Sequence, residues 1–118
     1  KDNHLTITRN LNESIKLFKA DHPNKKIQVE VDTVKQLRSL LAQLETPIDA
    51  VLLDNMLPHE VEICSQSLRQ SLPKCFIEVS GGITLDNLLD YRNLEIDGIS
   101  IGAITHQAVS KNIKFEFI

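Results

Sequence analysis

Glu78-Val79-Ser80-Gly81-Gly82-Ile83-Thr84 is the stretch on which the fold turns. Upstream, Phe76-Ile77-Glu78-Val79 is a short strand-like run. It leads straight into two glycines, then into a threonine that can cap a helix containing Leu85, Leu88 and Leu89. Strand, glycine turn and helix start, in that order, mark a β-to-α junction. Two glycines there let the backbone take φ above zero and come close to a ligand. A helix starting near Thr84 would add unpaired N–H groups and the positive end of its dipole. Together these features predict an anion-binding turn, with a plain tight turn as the alternative.

The same rhythm extends in both directions. Before it, Ile27-Gln28-Val29-Glu30-Val31 alternates as a strand does. Val34, Leu37, Leu40, Leu41 and Leu44 follow at helical spacing, with Asp32 or Thr33 as N-cap and Pro47 as the stop. Asp49-Ala50-Val51-Leu52-Leu53 is one acid followed by a continuous apolar run, as expected of a strand covered on both faces. Pro58 opens a helix with Val61, Cys64, Ser65 and Leu68 on one face, and Pro73 closes it. After the central stretch, Asp97-Gly98-Ile99-Ser100-Ile101 and Ile113-Lys114-Phe115-Glu116-Phe117 read as strands. Leu11 to Ala20, carrying Ile15, Leu17 and Phe18, reads as a helix.

Strands near residues 27, 49, 76, 97 and 113 recur at about one β-α step each, the pattern of parallel sheets and barrels. The expectation is an α/β single domain over residues 1–118: a partial (β/α) barrel with about five parallel strands alternating with helices. A complete eight-stranded barrel needs about 250 residues, and this chain has 118. The abrupt start at Lys1 adds to the expectation of a fragment.

Composition narrows the function classes. A net charge of −3 without a basic block argues against nucleic acid as a partner. No apolar run approaches the roughly 20 residues that span a bilayer, and no charged-then-apolar leader opens the sequence as given. Cys64 and Cys75 lack C-x-x-C spacing and a histidine partner, so they read as reduced thiols of a cytoplasmic protein.

Barrel chemistry sits at the C-terminal ends of strands. That rule selects Glu30 with Asp32, Asp54 with Asn55, Ser80-Gly81-Gly82, and Gly102 with His106. Gly102 follows Ile99-Ser100-Ile101 one β-α step after the first glycine turn, and late glycine loops are where many barrels hold phosphate. Glu30 points inward, away from the helices, if Val29 and Val31 face them. Glu30 and Asp54 then suit Mg²⁺ or ribose hydroxyls, or are simply solvated strand-end acids. His106 is a phosphate donor or an exposed loop histidine.

Taken together and in order, five segments resemble one family over essentially the whole chain. They are Lys1-Asp2-Asn3-His4-Leu5, Gln28-Val29-Glu30-Val31, Leu52-Leu53-Asp54-Asn55-Met56, Glu78-Val79-Ser80-Gly81-Gly82-Ile83-Thr84 and Ile101-Gly102-Ala103-Ile104-Thr105-His106. They resemble the C-terminal part of the barrel in nicotinate-nucleotide pyrophosphorylase (carboxylating), that is, quinolinate phosphoribosyltransferase. The Lys-Asp-Asn-His start argues against other phosphate-binding barrels, in which glycine turns of this kind are widespread.

The resemblance implies a pentosyl transfer in NAD biosynthesis. Quinolinate and phosphoribosyl pyrophosphate would become nicotinate mononucleotide, pyrophosphate and CO₂, with Mg²⁺ as cofactor. It implies that Lys1, Glu30 and Asp54 serve catalysis, with Lys1 facing the substrates and the two acids holding the ribose hydroxyls and the metal–pyrophosphate. It implies Ser80, Gly81, Gly82, Gly102 and His106 around the 5-phosphate. The family's arginine- and lysine-rich segments for quinolinate, and its N-terminal domain, have no counterpart in these residues. The expectation is therefore a phosphate and Mg²⁺ half-site, inactive alone and prone to homo-oligomerise through open sheet edges. The rival class is a non-catalytic assembly or ligand-binding domain derived from such a barrel.

Overall fold

The computed structural model describes residues 11–102 and the backbone of 114–116. Lys1 and His106 lie outside the described residues. The elements run α1 (Leu11–Asp21), β1 (Gln28–Val31), α2 (Val34–Gln43), β2 (Ala50–Asp54), α3 (Pro58–Ser71), β3 (Phe76–Ser80), a 3₁₀ turn (Leu88–Tyr91), β4 (Gly98–Ser100) and β5 (Lys114–Glu116).

The sheet order is β1-β2-β3-β4-β5, so each βα step moves one strand along in the same direction. That progression is the one a (β/α) barrel uses. β1 to β4 pair in parallel. β5 pairs antiparallel to β4, with Ile99 opposite Phe115, so four strands and not five are parallel. An alternating run reads the same in either direction, which is why its sequence predicts a strand and not its sense.

Alternation divides the sheet into two faces. Val29, Val31, Val51, Leu53, Ile77, Val79 and Ile99 are buried on the helix side. There they meet Leu37 and Leu40 of α2 and Val61, Cys64 and Leu68 of α3. The opposite face carries Gln28, Glu30, Leu52, Asp54, Glu78, Ser80 and Ser100, all exposed or half-buried. Glu30 thus points away from the helices, as the alternation predicts.

Helix boundaries follow side-chain chemistry. Thr33 is the N-cap of α2, its Oγ1 accepting the Gln36 N–H at 3.1 Å, while the Gln36 side chain returns to the Asp32 N–H at 2.6 Å. Pro58 sits in the first turn of α3, and Glu60 Oε2 accepts the Leu57 N–H at 2.9 Å. On α1, Leu11 and Ile15 are buried, whereas Leu17 is 62% exposed and Phe18 40%.

The N-terminal edge of the sheet is fastened twice by one device. Asp49 Oδ2 accepts the Ile27 N–H at 2.7 Å and the Lys19 ammonium at 2.6 Å. Asp97 Oδ2 accepts the Ile77 N–H at 2.7 Å and the Arg69 guanidinium at 2.7 Å. Each acid stands just before a strand and takes an N–H near the start of the preceding one, just before β1 for Ile27 and one residue into β3 for Ile77. The Lys19 hydrogen bond, followed by the Ile27 N–H, holds the Asp49 carboxyl below the usual aspartate range.

The helix expected after Thr84 does not form. Asn87 Oδ1 accepts the Thr84 N–H at 2.8 Å, and Thr84 Oγ1 accepts the Asn87 N–H at 3.4 Å. The Asn87 amide also donates to the Gly82 carbonyl at 2.9 Å. A side chain that captures local backbone groups competes with helix formation. Only the four-residue 3₁₀ turn follows, leaving Leu85 at 65% and Leu89 at 64% exposure.

Candidate active site

The C-terminal ends of β1, β2 and β3 bring the predicted acids and the first glycine turn together. Asp54 and Ser80 are register partners, and the Ser80 hydroxyl donates to Asp54 Oδ1 at 2.8 Å. One residue on, the Asn55 N–H donates to the Ser80 carbonyl at 2.8 Å, carrying the β2–β3 pairing past the strand ends. Asn55 takes φ +55°, a left-handed value that asparagine tolerates better than most residues.

Gly81 and Gly82 both have positive φ, +79° and +69°. At Gly81 the reason is contact as well as conformation. A Cβ there would lie 2.8 Å from the Asn55 nitrogen and 2.8 Å from Asp54 Oδ1. The turn therefore lies directly against the Asp54 carboxylate. At Gly82 the nearest atom to an added Cβ would be Asn55 Oδ1 at 3.6 Å, and at Gly102 there would be none within 4 Å.

Glu30, Asp32 and Asp54 offer carboxylate oxygens that all lie within 4.8 Å of one another. Glu30 and Asp32 are exposed and Asp54 is half-buried. Among the described residues, no lysine or arginine forms an ion pair with any of the three. Three mutually repelling charges with no cation paired to them among the described residues suit a hard divalent cation bound through oxygen. Asp32 stood beside Glu30 in the strand-end selection, but nothing in the sequence set it near Asp54. The β1–β2 register does, by aligning Val31 with Leu53.

The turn expected to bind an anion is built differently from the sequence expectation. The Thr84 N–H is already taken by Asn87, so no helix N-terminus stands beside the backbone of Ser80-Gly81-Gly82. Behind the turn lies a cavity of about 210 Å³ between Asn55-Met56-Leu57-Pro58 and Asn87-Asp90-Tyr91. The Tyr91 hydroxyl donates to the Met56 carbonyl across it at 3.2 Å, and burial pushes that hydroxyl's pKa up. Burial also pushes the Cys64 and Cys75 thiols up to about 11, so neither is a nucleophile at neutral pH.

Among the described residues, no helix is long and apolar enough to cross a membrane. The family described as "Quinolinate phosphoribosyl transferase, C-terminal domain" matches residues 1–116. A Methanocaldococcus jannaschii protein named "Probable nicotinate-nucleotide pyrophosphorylase [carboxylating]" is 39% identical over the whole chain. The rat nicotinate-nucleotide pyrophosphorylase (carboxylating) is 34% identical over 92% of it. The solved structure of the Francisella tularensis nicotinate-nucleotide pyrophosphorylase superposes with a TM-score of 0.67 at 26% identity, over 90% of this chain and 36% of that one. The chain spans 42% of the length of the archaeal relative and 36% of the rat one.

Proposed function

The chain belongs to the quinolinate phosphoribosyl transferase C-terminal domain family, and from that premise we propose that it carries the phosphoribosyl pyrophosphate half of a quinolinate phosphoribosyltransferase site. The observation that carries this reading is the junction of Asp54, Ser80 and Gly81, where an acid without an ion-pair partner among the described residues lies against a backbone turn open to an anion.

The reaction joins quinolinate to the ribose of phosphoribosyl pyrophosphate, releasing pyrophosphate and CO₂. Breaking the bond from the anomeric carbon to pyrophosphate builds positive charge on the ribose. Carboxylates at Glu30 and Asp54 stabilise that charge and hold the ribose hydroxyls. The N–H groups of the Ser80–Gly82 turn and of Gly102 grip the 5-phosphate, with His106 beside them. Lys1 meets the negative charge of the substrates. Glu30, Asp32 and Asp54 form a donor set that fits Mg²⁺, which when bound neutralises pyrophosphate charge. Quinolinate, a dianion, needs fixed cations, and among the catalytic residues proposed here only Lys1 is one. The remainder of the site, from further chain or a second copy, completes it across the helix-free sheet face, in the cytoplasm where both thiols stay reduced.

Calorimetric titration of the chain with phosphoribosyl pyrophosphate plus Mg²⁺ tests this reading. Wild type binds, Glu30→Ala and Asp54→Ala each lose about tenfold or more in affinity, and no nicotinate mononucleotide forms. Absence of binding in the wild type, or equal affinity in all three, overturns the half-site reading.

A further inference from the structure

Beneath the candidate site lies a second polar layer that the strand-end rule and the family motifs leave unassigned. Gln28, Glu78 and Ser100 stand on the helix-free face of β1, β3 and β4. Each carboxylate oxygen of Glu78 takes one donor from a different strand. The Ser100 hydroxyl donates to Oε1, and the Gln28 amide donates to Oε2 at 3.2 Å. The Gln28 contact reaches over β2, where small Ala50 is the register partner of Gln28.

The positions of the three residues are regular. Gln28 stands two residues before Glu30, Glu78 two before Ser80, and Ser100 two before Gly102. Two residues along a strand return to the same face about 6.6 Å further on. The carboxylate of Glu78 therefore sits one layer below the candidate site and ties together the strands that carry its parts. Half-buried mid-sheet, it repays its own desolvation only because both oxygens are satisfied. A face built for packing alone would place an apolar residue there, as β2 does with Leu52, the register partner of Glu78.

We propose that Glu78 is a positioning residue that sets the lateral spacing of β1, β3 and β4, so that Glu30, the Ser80–Gly82 turn and Gly102 converge on one ligand. The identity of that ligand rests on the phosphoribosyl reading above. The spacing role rests on the Gln28–Glu78–Ser100 contacts.

Glu78→Gln and Glu78→Leu separate this role from a direct one. In the Gln variant the Ser100 hydroxyl and the Gln28 amide can each turn to match the new side chain. The Leu variant offers them nothing. With phosphoribosyl pyrophosphate plus Mg²⁺ as probe, Glu78→Leu weakens binding about tenfold, as loss of an outer-shell partner does, and Glu78→Gln stays close to wild type. In the ligand-free chain, Glu78→Leu shifts the ¹H–¹⁵N signals of Gly81, Gly82 and Gly102 and speeds their hydrogen exchange, and Glu78→Gln leaves them in place. Equal losses in the two variants mean that the charge touches the ligand, and overturn positioning. So does an unchanged Leu variant. Should wild type fail to bind the probe, the phosphoribosyl reading falls and the glycine amides alone decide the role of Glu78. Should Glu78→Leu fail to fold, Ser100→Ala, which removes one arm of the same carboxylate, takes its place with the same expected shift at Gly102.

Discussion

Replacing Gly81 by alanine tests whether the glycine turn and the Asp54 carboxylate are one unit. Two costs fall on that substitution. A non-glycine residue at φ +79° pays about 1–2 kcal/mol for the left-handed conformation. The new Cβ then meets the Asn55 nitrogen and Asp54 Oδ1, both at 2.8 Å, and the Asn55 Cα at 3.0 Å. Neither near neighbour can yield cheaply. The Asn55 N–H is bonded to the Ser80 carbonyl and the Asp54 carboxylate to the Ser80 hydroxyl, each at 2.8 Å. Losing one such bond costs about 0.5–1.5 kcal/mol, so the total comes to roughly 1.5–3.5 kcal/mol. Two neighbouring glycines calibrate it. Gly82→Ala carries the conformational cost alone, about 1–2 kcal/mol, because its nearest contact is an ordinary 3.6 Å. Gly102→Ala meets nothing within 4 Å and stays within about 0.5 kcal/mol. Urea unfolding of the three variants, compared at constant m-value, gives the ranking. A Gly81→Ala chain as stable as Gly82→Ala would refute the close approach of turn and acid. Loss of phosphoribosyl pyrophosphate affinity in Gly102→Ala at unchanged stability would mark the backbone of that residue as a ligand contact.

Two further outcomes follow from the charges. The Asp49 carboxyl is depressed in the folded chain by Lys19 and the Ile27 N–H, so its stabilisation is complete above the ordinary carboxylate pKa near 4 and disappears as pH falls through the folded value. Thermal midpoints at pH 7 and pH 3 therefore differ less in Asp49→Asn than in wild type, and an unaltered difference would remove Asp49 from the acid limb. Glu30→Gln relieves repulsion in a carboxylate cluster that has no ion-pair partner among the described residues, raising ligand-free stability by a few tenths of a kcal/mol while weakening the Mg²⁺-dependent affinity; a lowered unfolding midpoint would contradict the repulsion.

Much of the fold was legible because several independent signals agreed. In α3, Pro58 at the start, Pro73 beyond the end and a buried stripe of Val61, Cys64, Ser65 and Leu68 all point to one helix. In the segment after Thr84 the signals conflicted. Leu85, Leu88 and Leu89 suggest a helix, but Asn87 has a side chain that competes for the backbone, and its bonds to Thr84 and Gly82 prevailed. The acids of the site were legible from a positional rule, since strand ends carry barrel chemistry. Glu78 was not, because that rule looks past the end of β3 and not one period of two back along it. Its partnership with Gln28 needs the strand order as well, since the two residues are separated by all of β2.

The two edges of the sheet treat their acids in opposite ways, and the contrast bears on function. At the N-terminal edge, Asp49 and Asp97 each hold a cation of the chain's own, Lys19 and Arg69, together with a backbone N–H. Those charges are balanced internally, and the fastening serves the fold. At the C-terminal edge, Glu30, Asp32 and Asp54 crowd within 4.8 Å without such a partner among the described residues. Like charges so placed repel, and no ion pair among the described residues offsets that repulsion. The middle layer, through Glu78, ties β1, which leads into two of these acids, to β3 and β4 and adds no cation. Under the proposed function, a metal–pyrophosphate bound beside the glycine turn would supply positive charge to the acids and negative charge to the backbone N–H groups in a single ligand.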